Sequence, residues 1–135
     1  MRSIVLRQIH WNEIQAHLEE CLPFEGCGFF AGWDRHVTEV HQIRNVLRST
    51  TRFQMDPREQ VRILFDVEGR GLDLLGIYHS HPSGPPRPSG VDRSEAAYPG
   101  AVHLICGRDG DRWRCQAFTI GERGLASQVR IEWTE

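Results

Sequence analysis

The sequence predicts a mixed α/β fold in which a central mixed β-sheet is flanked by helices. Three observations predict it. Short apolar runs alternate with stretches whose apolar residues recur at helical spacing. Turn residues separate neighbouring strand-like runs closely enough for hairpins. One run, Asp73 to His79, is apolar almost throughout, as expected of a strand covered on both faces.

Ser3 to Arg7 reads as the first strand. Asn12 is the expected cap of a helix through Glu13, Ile14, Leu18 and Cys21, and Pro23 ends it. Cys27 to Trp33 is apolar and aromatic with glycines at its edges, which suits a buried strand. Asp34-Arg35 makes a turn, and Val37 to Val46 pairs back as a hairpin. Phe53-Gln54-Met55 reads as a short strand. Asp56 caps a second helix with Pro57 at its first position. Its inner stripe is expected to be Val61, Leu64, Phe65 and Val67, and Gly69 and Gly71 stop it. After the Asp73–His79 strand, a proline-rich loop leads to a short helix over Asp92–Tyr98, with Ser89 near its beginning. Ala101–Cys106, Trp113–Ile120 and Gln128–Trp133 complete the sheet, with a turn at Gly107–Asp111.

The length, 135 residues, fits one domain spanning 1–135. Sixteen basic and 18 acidic side chains leave a formal charge of −2, which argues against a dedicated nucleic-acid binder. No run approaches the ~20 apolar residues of a membrane span, and Met1–Arg7 is too short for a signal peptide. The reading is a cytoplasmic protein. The four cysteines (Cys21, Cys27, Cys106, Cys115) contain no C-x-x-C pair and are expected to be buried thiols.

The segment from His79 to Asp92 carries the chemistry. His79 and His81 are two residues apart, so in an extended strand both rings face the same side and can reach one ion. Asp92 can return on the loop as a third ligand. Three protein ligands leave a fourth tetrahedral position open, which distinguishes a catalytic zinc from a structural one. Ser80, between the two histidines, faces the opposite side and is assigned a structural place.

The pattern H-x-H, seven residues, then S-x-x-D resembles the motif of the JAMM (MPN+) zinc metalloproteases. The segment Pro23-Phe24-Glu25-Gly26-Cys27-Gly28-Phe29-Phe30 is similar to the upstream glutamate region of that family. The resemblance runs from about Ile4 to the C-terminus. It implies an MPN/JAMM domain of cytidine-deaminase-like architecture, Zn²⁺ held by His79, His81 and Asp92, and two catalytic residues. Glu25 would be the general base that activates water and protonates the departing amine. Ser89 would donate a hydrogen bond to the oxyanion, although a helix N-cap role competes for it. The implied substrate is the C-terminal Gly-Gly tail of a ubiquitin-like or sulfur-carrier protein. An extended tail of that kind is expected to bind by adding a strand at a sheet edge.

Other classes stay open at this point. The metal loop is also similar to that of RadC-type DNA-repair-associated proteins, and MPN domains without ligands act as non-catalytic scaffolds. A zinc deaminase lacks support because the H-x-E and P-C-x-x-C patterns are missing. A cysteine nucleophile at Cys27 lacks a recognisable histidine partner. His103 reads as a satisfied core histidine, and His10, His17, His36 and His41 have no metal spacing to the loop. Trp33 and Trp113 are read as packing residues that could line a groove.

Overall fold

The computed structural model describes residues 2–98 and 100–135; Met1, at the head of the N-terminal segment discussed above, and Pro99 lie outside them. The fold class is the mixed α/β arrangement expected, with one difference: the sheet closes into a barrel. Strands β1 (Ser3–Arg7), β2 (Cys27–Trp33), β3 (His36–Ile43), β4 (Asp73–His81), β5 (Val102–Asp109), β6 (Arg112–Ile120) and β7 (Ala126–Thr134) lie in the order β1-β3-β2-β4-β5-β6-β7. The first strand closes it. It pairs in parallel with the last, from Ser3↔Arg130 to Arg7↔Thr134, and bridges β3 at Val5↔His36. No local pattern announces a contact between strands more than a hundred residues apart. Among the described residues no helix is long and apolar enough to cross a membrane.

Helices α1 (Gln8–Cys21) and α2 (Pro57–Gly69) serve two separate cores. Successive side chains of a strand alternate in direction, so β2 and β4 feed both. Phe30 and Tyr78 join Trp11, Ile14 and Leu18 of α1 in one cluster. Cys27, Phe29 and Ile77 join Ile63 and Val67 of α2 in the other. This division explains why the Asp73–His79 run is apolar throughout.

Several boundaries move. Helix α1 starts at Gln8, directly after β1, and its N-terminus has no side-chain cap; Asn12 lies inside it and its Oδ1 accepts from Gln8 Nε2 at 3.0 Å. Asp56 does cap α2, accepting from the Arg58 and Glu59 N–H groups, with Pro57 in the first turn. The buried stripe of α2 is Ile63 and Val67, with Leu64 partly covered, whereas Val61 and Phe65 are exposed. Phe53–Met55 is not a strand; a lone bridge joins Asn45 to Met55. The short helix α3 spans Gly90–Ser94 rather than Asp92–Tyr98, because the cap at Ser89 starts it earlier. Strand β3 stops at Ile43, and β5 continues through Asp109, absorbing most of the expected turn. All four cysteines are free thiols, with Cys27 and Cys106 buried and Cys21 and Cys115 half-buried.

Gly28 lies beneath the Tyr78 ring. A Cβ there would stand 2.3 Å from Tyr78 Cε2 and 2.4 Å from the His41 carbonyl oxygen. One of those neighbours is backbone and cannot rotate away. Gly28→Ala is therefore expected to destabilise the fold by about 1–3 kcal/mol, read as a lower urea midpoint at unchanged slope. An unchanged midpoint would refute the close packing.

Candidate metal centre and catalytic cleft

Strand β4 delivers His79 and His81 at its C-terminal end. Both rings are almost fully buried, and their Nε2 atoms lie 3.2 Å apart. The loop after His81 must double back to bring the carboxylate in. Gly107 of β5 permits this: a Cβ there would be 2.6 Å from the Gly84 carbonyl and 2.9 Å from Pro86 N, so only glycine lets the loop lie on the strand. The Pro85 carbonyl accepts a 2.8 Å hydrogen bond from His81 Nδ1. That bond fixes the tautomer and leaves Nε2 as the donor atom for a metal.

The S-x-x-D signature is a capping box. Ser89 Oγ accepts from the Asp92 N–H at 3.0 Å, and Asp92 Oδ2 accepts from the Ser89 N–H at 2.9 Å. The same Oδ2 lies 3.2 Å from His79 Nε2 and 2.9 Å from His81 Nε2. Three ligand-type atoms thus converge on one point. Donors about 2.0–2.1 Å from a tetrahedral zinc stand about 3.3 Å from one another, so the trio is already close to ligand spacing. Two neutral nitrogens and one carboxylate oxygen also suit a borderline cation such as zinc.

Charge follows the same geometry. Burial alone would raise the Asp92 carboxyl, but the His79 and His81 imidazoles against it and the Ser89 amide hold it well below the usual carboxylate range. Burial lowers His79, and Asp92 only partly offsets this. At His81 burial also lowers the pKa, but Asp92 and the Pro85 carbonyl outweigh it, so the net shift is upward.

Glu25 reaches the site through the β2–β4 ladder. The last pair is Cys27↔His79, and the Ser80 N–H bonds the Gly26 carbonyl at 3.0 Å. One further step of this antiparallel register sets Glu25 opposite His81, on the same face as both rings. The Glu25 backbone is held from the other side, its N–H by the Ser49 carbonyl at 2.8 Å and its carbonyl by Asn45 Nδ2 at 3.0 Å. Its side chain is 3% exposed, and among the described residues Oε1 has no hydrogen-bond partner. Burial pushes the carboxyl up to about 8; His81 pulls it down and Asp92 pushes it further up. An orphaned, buried carboxylate oxygen beside three ligand-type atoms fits a group that moves protons at a metal.

The ligand-type residues are shared between two cavities, His81 lining one and His79 and Asp92 the other. A cleft of ≈ 310 Å³ is lined by Glu25, Thr50, Thr51, His81 and Ser89. A second cavity, of ≈ 260 Å³, is lined by Phe53, Ile77, His79, Asp92 and His103. Every site residue expected from sequence (Glu25, His79, His81, Ser89 and Asp92) therefore lies in one place. Sequence reading missed three contributors. Asn45 organises the 45–54 loop, bonding the Glu25 and Arg52 carbonyls and the Leu47 and Gln54 N–H groups. Phe53 stacks on the His79 ring, centroids 4.5 Å apart. His103, expected as a core histidine, is buried but lines the second cavity, and burial, reinforced by His79, pushes it down to about 4. An asparagine at a strand end followed by serine and threonines was a usable turn signal; nothing local marked the other two. Trp33 is exposed and Trp113 is core, and neither lines these two cavities. A second acidic group, Glu39, His41 and Asp66, is already served by Arg70, which bonds both carboxylates.

A closed mixed sheet gathers two imidazoles, a carboxylate and a separate buried glutamate at a cleft, a set of groups that suits a metal-activated water. Residues 7–118 match the family described as prokaryotic homologs of the JAB domain (Prok-JAB), and the chain belongs to that family. A desampylase of Haloferax volcanii is 45% identical over 91 residues, a match covering 65% of this chain and 66% of that protein's length. A CysO-cysteine peptidase of Mycobacterium tuberculosis is 30% identical over 132 residues, covering 93% and 88%. The solution structure of a protein from Desulfitobacterium hafniense superposes with a TM-score of 0.87 at 34% identity, covering 98% of this chain and 93% of that one.

Proposed function

We propose that this protein is a zinc-dependent peptidase that hydrolyses an amide bond at the C-terminal Gly-Gly tail of a ubiquitin-like or sulfur-carrier protein, and that residues 1–135 act as one domain. The observation that carries this reading is the convergence of His79, His81 and Asp92 beside the buried Glu25, whose Oε1 has no hydrogen-bond partner among the described residues. The names of the relatives, desampylase and CysO-cysteine peptidase, support the class of substrate.

His79 Nε2, His81 Nε2 and Asp92 Oδ2 would hold the zinc, which when bound polarises the scissile carbonyl and acidifies a water. Glu25 takes the proton from the attacking water on its carboxylate and passes it to the amine nitrogen as the C–N bond breaks. The products are the carrier's carboxylate and a free amine. Ser89 Oγ uses a lone pair to accept the Asp92 N–H, so its own proton remains available for the developing oxyanion. One such donor is worth roughly 3–4 kcal/mol of barrier.

The tail path differs from simple strand addition. Both sides of β4 are occupied, by β2 and β5, so no free edge lies beside the histidines. Thr50 and Thr51 line one cavity and Arg52, Phe53 and Gln54 the other, and the extended tail lies against this segment, with its glycines passing a constriction that such a path requires beside the metal site. The test is zinc analysis together with a cleavage assay on a carrier fused through Gly-Gly to a reporter amine. One zinc per chain and release of the reporter are expected, with release lost when the glycines become bulky residues. Persistent cleavage of the bulky tail would sink the constriction. An uncut carrier alongside a cut nucleic acid would overturn the substrate class.

A further inference from the structure

We propose that Ser80 is a positioning residue, its buried hydroxyl accepting the Gly26 N–H and thereby holding Glu25 in register with the two histidines. This rests on the reading of Glu25 as the proton carrier. Ser80 sits between the two histidines but faces the opposite side of the sheet, towards α1, and is fully buried. Its Oγ lies 2.8 Å from Gly26 N, while its own N–H bonds the Gly26 carbonyl at 3.0 Å. In a regular antiparallel ladder such a pair would exchange two main-chain bonds. Here the side chain replaces one carbonyl. Residue 26 is thus clasped by residue 80 through two bonds, and Glu25 is the next residue along.

The clasp has no slack. A Cβ at Gly26 would meet Leu18 Cδ2 at 2.9 Å and Cys21 Sγ at 3.0 Å, so α1 presses on the same point from the far side. Gly26 is itself buried, so without the hydroxyl its N–H has no partner of this kind and the strand end is free to shift. The ligands need not move, because His79 and His81 are fixed by the β4–β5 ladder and the Pro85 carbonyl. The group that loses its place is Glu25.

The experiment compares Ser80→Ala, Ser80→Cys and Ser80→Thr with the wild type in four readouts: zinc affinity, kcat and KM on the carrier fusion, amide exchange at Gly26, and the Glu25 position in zinc-loaded crystals. Ser80→Ala is expected to bind zinc as tightly as the wild type, with KM unchanged. Its kcat should fall about 10–100-fold, the scale of an ångström-sized misplacement, and Gly26 should exchange about tenfold faster or more. Threonine keeps the hydroxyl and should recover both. If its extra methyl prevents folding, the near-isosteric cysteine, a weak acceptor, should behave like alanine. An unchanged kcat in Ser80→Ala with faster Gly26 exchange overturns the proposal. So does a loss of zinc affinity equal to the loss of kcat, since Ser80 would then act through the ligands. If the zinc-loaded wild type cuts no carrier, the hydrolase reading fails. The crystals then decide the clasp on their own: a displaced Glu25 with unmoved histidines supports it, and an unmoved Glu25 refutes it.

Discussion

Glu25→Gln is expected to keep the zinc and lose the reaction. Glutamine preserves the volume and one hydrogen-bonding oxygen but cannot take up a proton. Proton transfer by a positioned side chain contributes typically about 10²–10⁴-fold, so kcat should fall by that factor with zinc content unchanged. Unchanged turnover would remove Glu25 from the mechanism, and loss of zinc would make it a ligand. Stability gives an independent sign. In the zinc-free protein burial raises the carboxyl from its ordinary 4.5 to about 8. The unfolded chain therefore gives up this proton more easily, and stability falls as pH rises between those values. Glutamine does not carry that penalty. The metal-free variant should match the wild type below about pH 4.5 and exceed it increasingly towards pH 8. A melting difference independent of pH would mean that the carboxylate is better solvated than its 3% exposure indicates.

Asp92→Asn tests the metal centre itself. Asparagine retains an oxygen for the Ser89 N–H, so the cap of α3 survives. It lacks the charge that neutralises a dication and supports both rings. Removing a group that merely orients a ligand costs about 10–100-fold in metal affinity, and loss of a direct anionic donor should exceed that. Turnover should fall in step and return partly in excess zinc. The thermal shift should follow too: zinc at about a thousand times its Kd stabilises the wild type by about 4 kcal/mol, and the same concentration should do much less for the variant. Chelation should abolish wild-type turnover reversibly. Zinc binding at wild-type strength by Asp92→Asn would refute the three-donor site.

Much of this centre is legible in the sequence, for local reasons. The i, i+2 histidines need only an extended strand to converge. The S-x-x-D segment is a capping box whose acid sits three residues from its serine whatever surrounds it. Asp56-Pro57 starts α2 as its residue types require, and the apolar runs of β2 and β4 reflect two real faces. Reading failed where neighbours decide. Val61 and Phe65 share a helical stripe that the barrel leaves uncovered. Phe53 has strand propensity, but its ring is used against His79. Helix α1 begins without a capping side chain because its Trp11, Ile14 and Leu18 are captured by the sheet.

The chain alone determined the residue types of the candidate metal ligands, the spacing of the two histidines on one strand and the caps at Asp56 and Ser89, because these depend on bonds and hydrogen bonds within about a dozen residues. Tertiary structure decided that Glu25 meets them. Its place depends on the pairing of β2 with a strand some fifty residues further along, on the Ser80–Gly26 clasp and on the Asn45 loop behind it. Side chains alternate every second residue, so a slip of one position would turn that carboxylate to the other face of the sheet. The packing of two cores against opposite faces is what prevents the slip.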